Sequence, residues 1–447
     1  MAKHPESDKA QKELMQTTAG DWERERCSRH WNLAEGMGVM CFILFALWGV
    51  AYPFGVMAGS ATAKILSEVM LGLGAAFILL AAPWLHKDTA SSWGLGSPGA
   101  LRRLLSESSP VKRALFVLLI LLLFIGLNYI NYQQWPRVVK FFNLHKTAMA
   151  GWNTSFPGII GLFLFGGLLS SVIVIVCIRY DNFLSAFRTA MKIALPLFAL
   201  IVLGALVQRG RHAFDHFTWN AFFTGVFGYV FWGFVQQLLF SAYLGTRLRK
   251  AFAPTKNEGS ATASGTKIVA GALIASLSFS LLLYIVITNS NGTVLPWQVI
   301  PGLTLFLFPL STLYLRFYFK DKKRMLVATL TGSCFGMIHI NSYGLVAVTF
   351  LLGIFLSYVF MEERNRNLVA LGFIHGLLGS SFSQFFSKGR AGALNVDYGV
   401  GPWNVDNPGW ETLIFPALCL LFYGGIIVWY FRSASFHETE TPRNLLS

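Results

Sequence analysis

The sequence is poor in charged residues. Only 13% of its 447 residues are Asp, Glu, Lys or Arg, whereas 54% are hydrophobic. Soluble globular domains carry about 25% charged residues, so this composition excludes an ordinary soluble protein. The chain also has 40 Phe and 13 Trp, and aromatic residues are enriched at membrane interfaces. We expect an integral membrane protein with no soluble domain large enough to carry its function.

Cysteine is scarce as well, and its spacing argues against two kinds of site. The chain has five cysteines and no Cys-x-x-Cys pair, so neither a disulfide framework nor a zinc cage is predicted. We expect no metal and no other cofactor. The polar residues 1–32 lack the immediate apolar stretch of a cleavable signal peptide. They are predicted to form a cytoplasmic N-terminal segment.

The basic residues indicate an orientation in the membrane rather than a nucleic-acid partner. The net charge is +15, but the basic residues form short clusters between apolar runs instead of one long stripe. Clusters of this kind mark cytoplasmic loops. We therefore expect both termini in the cytoplasm, the lipid bilayer as the main partner and no binding to nucleic acid. A bacterial inner membrane is the expected location.

Apolar runs long enough to cross the bilayer recur along the chain. A helix needs about 20 such residues to cross ~30 Å of hydrocarbon. The pattern predicts an all-α polytopic transmembrane helical bundle with about 12 spans. The predicted spans are 33–55, 64–85, 112–132, 156–178, 187–207, 219–246, 267–288, 296–317, 325–341, 343–361, 367–386 and 411–431. Between and after them we predict a flexible linker at 251–266, a non-cytoplasmic loop at 387–410 and a cytoplasmic tail at 432–447.

Several polar side chains fall inside predicted spans. They are Gln236 and Gln237, His339 with nearby Asn341, and His375. At ~1.5 Å per residue the glutamines and both histidines can share one layer near the middle of the bilayer. A polar group in hydrocarbon is costly without a partner, so these residues are candidates for a functional pocket. The alternative is that each one joins two helices through a hydrogen bond.

The same segments resemble the CAAX protease and bacteriocin-processing family of intramembrane endopeptidases. That family shows Glu-Glu-x-x-x-Arg, then Phe-x-x-x-His, then His-x-x-x-Asn or Asp on membrane helices. Here residues 236–241 read Gln-Gln-Leu-Leu-Phe-Ser, residues 335–339 read Phe-Gly-Met-Ile-His and residues 375–379 read His-Gly-Leu-Leu-Gly. The resemblance implies a CAAX-protease-like core at 219–386, with an accessory bundle at 33–207 before it.

The resemblance also implies a set of site residues. It assigns catalytic positions to Gln236, Gln237, His339 and His375, and supporting positions to Phe335, Asn341 and Ser241. The first glutamate of the family is thought to act as general base on a bound water. A carboxylate can accept that proton at neutral pH and a carboxamide cannot. The loss of the arginine at Ser241 accompanies the loss of both acids.

Three functions stay open from the sequence. The first is an intramembrane endopeptidase, or its degenerate pseudoprotease descendant, acting on a membrane-embedded or membrane-tethered peptide, such as a lipidated protein. The second is a non-catalytic membrane protein that binds a peptide or lipid in the same pocket. The third is a secondary transporter, although no pair of related halves is visible. A histidine acting as the base is conceivable, whereas two histidines without a carboxylate make a poor zinc site.

Overall fold

The computed structural model describes residues 29–141, 147–215, 217–252, 264–291, 295–341 and 343–385, with 425 and 428. Within these ranges all regular elements are helices, which confirms the all-α class. The predicted loop at 387–410 and the tail at 432–447 lie outside the described residues. So do most of the linker at 251–266, nearly all of the last predicted span and the first 28 residues.

Twelve helices are used below as reference points. They are α1 (Arg29–Met57), α2 (Ala61–Leu85), α3 (Pro98–Glu107), α4 (Pro110–Phe141), α5 (Phe156–Cys177), α6 (Phe183–Arg209), α7 (Trp219–Ala251), α8 (Gly265–Asn291), α9 (Pro296–Lys320), α10 (Lys322–Met337), α11 (Tyr343–Phe360) and α12 (Leu368–Phe385).

Among the described residues seven helices are long and apolar enough to cross a membrane, namely α1, α2, α4, α5, α6, α7 and α9. Helices α8, α11 and α12 each contain a shorter apolar stretch. Helix α10 has 16 residues, which gives it a length of ~24 Å, short of the ~30 Å of hydrocarbon. It ends before His339, which lies in the turn between α10 and α11. The predicted span at 325–341 is therefore a shorter helix followed by a turn.

Side-chain caps fix the starts of several helices. Ser60 accepts a hydrogen bond from the backbone N–H of Ala63 at 3.2 Å before α2. Asp321 accepts one from the N–H of Arg324 at 3.0 Å before α10. A capping side chain satisfies an N–H group that the first turn of a helix leaves unpaired. The cap at Asp321 marks the start of α10 and separates it from α9.

Glycines let α7 and α12, and likewise α10 and α11, approach each other closely. A Cβ atom on Gly376 of α12 would lie 2.7 Å from the carbonyl oxygen of Val226 on α7. Gly332 of α10 and Gly353 of α11 face each other, with a Cβ on Gly353 only 2.8 Å from the Cα of Gly332. Small residues at helix contacts are the usual means of close packing in membranes. These glycines bring α7 against α12, and α10 against α11.

The loops predicted to be cytoplasmic meet at one end of the bundle. The Arg179 guanidinium, in the loop after α5, donates hydrogen bonds to the carbonyl oxygens of Ser91 (3.2 Å) and Arg366 (3.3 Å). Burial disfavours its charged form, but hydrogen bonds and charge from Asp181 and Glu363 outweigh burial and raise the pKa of Arg179. The orientation of this end in the membrane stays a prediction.

One hydrophobic core joins the two halves of the described chain. Its buried residues include Met37 of α1, Ala190 of α6, Leu244 of α7, Phe335 of α10 and Ile374 of α12. The helices of the predicted accessory bundle therefore share a core with the predicted CAAX-protease-like region. The domain boundaries themselves stay predictions.

Candidate functional site

The glutamine pair lies where α7 changes its winding. The helix is α-helical from Trp219 to Gln237, and π-helical from Leu238 to Leu244. Both glutamines are buried, with exposed fractions of 7% for Gln236 and 1% for Gln237. Short π-helical stretches inside α-helices frequently occur at functional sites. The change in winding begins at the residue that follows the pair.

Gln236 contacts His339 across the helix interface. Its Nε2 lies 3.4 Å from His339 Nε2, while His339 Nδ1 lies 3.0 Å from the carbonyl oxygen of Phe335. A carbonyl oxygen only accepts, so Nδ1 carries the hydrogen of a neutral His339. Nε2 is then the acceptor, and the Gln236 amide donates a long hydrogen bond to it. A carboxylate at position 236 would have no hydrogen to donate.

Gln237 turns toward a pair of serines instead. The Ser241 hydroxyl donates to Gln237 Oε1, and Ser241 Oγ lies 3.4 Å from Ser357 Oγ on α11. Among the described residues the buried Gln237 Nε2 has no hydrogen-bond partner. Ser241, which the sequence resemblance aligns with the family's arginine, holds the carboxamide of Gln237.

His375 reaches the same region from α12. Its ring centroid lies 5.5 Å from that of Phe335, and the Phe335 ring lies 5.3 Å from the His339 ring. Phe335 is thus in contact with both imidazoles. Only 8% of His375 is exposed, and its Nδ1 has no hydrogen-bond partner in the described part of the chain. The close approach of Gly233, whose Cβ would lie 2.4 Å from that of His375, fixes the histidine against α7.

The structure therefore gathers the predicted residues in two linked groups. Gln236, His339, Phe335 and His375 form one group, and Gln237 with Ser241 forms the other. Asn341, also predicted at the site, lies in the turn two residues after His339 and is half-buried. At Gly379, where the family has Asn or Asp, a Cβ would lie 2.7 Å from the Tyr229 ring. The tyrosine ring occupies the space that an asparagine side chain would need.

Glu35 on α1 is hydrogen-bonded to residues outside the glutamine group. Glu35 accepts hydrogen bonds from Trp31 Nε1 and the Tyr243 hydroxyl, both at 3.1 Å, and its Oε2 lies 2.6 Å from His86 Nε2. Because the carboxylate is buried and paired in this way, it is not placed to replace the missing base.

Sequence reasoning missed the buried charged cluster that includes Glu35. In it Asp88 pairs with Arg247, and with Lys250 at 2.8 Å. The Asp88 and Arg247 side chains are 2% and 0% exposed. The sequence analysis treats basic clusters only as signals of membrane orientation, and Arg247 and Lys250 lie in one of these clusters. The acids Glu35 and Asp88, lying at helix ends that face the same side, were the available signal for pairing.

The described residues contain no group of three or more His, Cys, Asp or Glu that could hold a metal ion. The carboxamides and the neutral imidazoles offer hydrogen-bond donors and acceptors. They carry no net charge. These side chains can bind polar groups and orient a water molecule, but none of them is a carboxylate that could accept a proton.

The helices define a polytopic membrane protein in which buried polar side chains of α7, α12 and the turn after α10 lie close together. The family described as Type II CAAX prenyl endopeptidase Rce1-like matches residues 311–380. This match confirms the resemblance to CAAX proteases, and the chain is a CAAX-protease-like membrane protein. The matched residues include Phe335, His339 and His375 but not the glutamine pair. No curated protein and no solved structure matches the chain.

Proposed function

We propose that the protein is a degenerate CAAX-protease-like protein that binds a membrane-tethered peptide without cleaving it. The observation that carries the proposal is the contact of 3.4 Å between Gln236 and His339. It gives the imidazole an amide donor at the position where the family has a carboxylate. The base that would deprotonate a water is missing, whereas the surrounding aromatic and histidine positions are kept.

The pocket suits a peptide backbone chemically. A carboxamide offers both a donor and an acceptor, as a peptide group does. The buried Gln237 Nε2 and His375 Nδ1 lack partners within the described residues, so both can bond to a ligand. A peptide inside the bilayer must satisfy its own N–H and C=O groups, since each unpaired one costs several kcal/mol. Bonds to these side chains would offset part of that cost.

A binding assay tests the proposal with a fluorescent prenylated CAAX peptide, the substrate class in the matched family's description. The purified protein in lipid nanodiscs is expected to bind the peptide and to leave it intact. The double variant Gln236→Leu, Gln237→Leu should lose binding while it keeps its folding. Equal binding by wild type and double variant would overturn the assignment of the glutamines, and absence of wild-type binding would reject this peptide class.

An active endopeptidase is the second candidate, with a histidine as the base. The supporting observation is the unpartnered Nδ1 of His375, which lies beside the Phe335 ring. An imidazole is the side chain whose unperturbed pKa allows it to accept a proton near neutrality. In this case cleavage of the peptide would survive Gln236→Leu and Gln237→Leu, and would be lost with His375→Ala.

A further inference from the structure

Helix α3 differs from its neighbours because it is short and amphipathic. Ser97 caps its start by accepting a hydrogen bond from the Ala100 N–H at 3.2 Å. Leu101, Leu104 and Leu105 are half-buried along one side, and spacings of three and four residues place them on one face. The opposite face carries Arg102 and Arg103, which are exposed.

The chain on both sides of α3 places it at one end of the bundle. Its ten residues extend ~15 Å, which is too short to cross the bilayer, whereas α2 and α4 are long and apolar enough to do so. Just before α3, the Gly96 N–H donates to the Val176 carbonyl oxygen at 2.7 Å, at the end of α5. The helix is thus tied to the end of a membrane-crossing helix, where the hydrocarbon meets the headgroups.

Positive charge is concentrated on this short stretch. Arg102, Arg103, Lys112 and Arg113 are all exposed, and Glu107 is the single acid among residues 98–113. Arg113 folds back and donates from Nη2 to the carbonyl oxygens of Ser106 (3.1 Å) and Ser108 (3.3 Å). Its guanidinium therefore lies under the C-terminal end of α3, where it adds to the charge of that helix.

We propose that α3 and the first turn of α4 bind the headgroups of anionic phospholipids in the leaflet at that end of the bundle. A helix with leucines on one face and arginines on the other lies in the plane of the membrane interface. Guanidinium groups form paired hydrogen bonds with phosphate oxygens. Each basic residue near an anionic surface contributes about 1 kcal/mol, or about fivefold in affinity. This binding does not depend on what the glutamines and histidines bind.

Native mass spectrometry of the delipidated full-length protein tests the proposal. The protein is titrated with phosphatidylglycerol, and in parallel with phosphatidylcholine that has the same acyl chains. We expect preferential retention of phosphatidylglycerol, and a loss of about fivefold in affinity for each charge removed in the variant Arg102→Gln, Arg103→Gln. The charge-matched control is Arg188→Gln, Lys192→Gln, two exposed cations on the spanning helix α6, which should retain most binding.

A second variant separates charge from folding. Arg102→Lys, Arg103→Lys keeps both charges, so it should retain most of the preference for phosphatidylglycerol even if the glutamine variant proved unstable. Equal loss in the α3 variant and the α6 control would overturn the proposal, because binding would then follow net charge alone. Displacement of the lipid by inorganic phosphate at equal concentration would also overturn it, since the site would then recognise free phosphate.

Discussion

Gly233 on α7 lies directly against the side chain of His375 on α12, since a Cβ on Gly233 would lie 2.4 Å from the Cβ of His375. A methyl group at this position must displace the histidine or separate the two helices. The contact therefore couples the packing of α7 to the position of an imidazole in the pocket.

The variant Gly233→Ala should destabilise the protein and weaken peptide binding. Overpacking of a well-packed contact costs about 1–3 kcal/mol. Thermal unfolding in detergent, followed by size-exclusion chromatography, measures the loss. Gly228→Ala on the same helix is the matched control, because a Cβ there meets nothing within 4 Å. Because Ala favours helix more than Gly does, the control should be at least as stable as wild type, and the same loss in both variants would show that contact with His375 does not explain the effect.

Removing the acidic partner from the buried charged cluster should destabilise the protein. Asp88→Asn leaves Arg247 and Lys250 without their carboxylate, and removal of one partner from a buried pair costs about 3–5 kcal/mol. The thermal unfolding temperature of the purified protein measures the effect. Adding Arg247→Met to Asp88→Asn should recover part of the loss, because one of the two cations that lost the Asp88 carboxylate is then removed.

A surface pair provides the control for that experiment. Glu362 pairs with Arg324 at 3.2 Å, and its side chain is 32% exposed. Glu362→Gln should cost less than about 1 kcal/mol, since exposed pairs contribute little. If Asp88→Asn cost no more than Glu362→Gln, the buried cluster would not stabilise the junction of α1, α2 and α7.

Gly379 should not accept the asparagine of the family pattern. The side chain would meet the Tyr229 ring, which is 2.7 Å from a Cβ at this position. Gly379→Asn alone is expected to lower the unfolding temperature, and Tyr229→Ala with Gly379→Asn to recover part of it. A single variant as stable as wild type would mean that the tyrosine ring moves freely out of this space.

The fold class was predictable because apolar runs long enough to span the bilayer can be recognised from the local sequence alone. The proximity of Gln236, His339 and His375 was also predictable, since polar residues in apolar runs are rare and a family pattern ordered them. The short length of α10 was not, because the helix ends at Met337 and the turn around His339 interrupts the predicted span at 325–341. The pairing of Asp88 with Arg247 joins segments that are far apart in the chain, so no local sequence pattern could predict it.

The orientation is open to a direct test by reporter fusions. Fusions within residues 251–266 and after residue 87 should report the cytoplasm, because each segment lies beside a basic cluster in the sequence. A fusion within residues 387–410 should report the opposite side. Placement of 251–266 outside the cytoplasm would contradict the predicted arrangement of spans.

The central claim is that carboxamides in place of carboxylates leave a pocket that binds but does not cleave. The most direct measurement is the hydrolysis of a fluorogenic prenylated CAAX peptide by wild type and by the triple variant Gln236→Glu, Gln237→Glu, Ser241→Arg. The arginine belongs in the set because two buried carboxylates without a counter-charge would stay protonated. We predict background hydrolysis for wild type and a gain above background for the triple variant. Hydrolysis by wild type that disappears with His375→Ala would contradict the account.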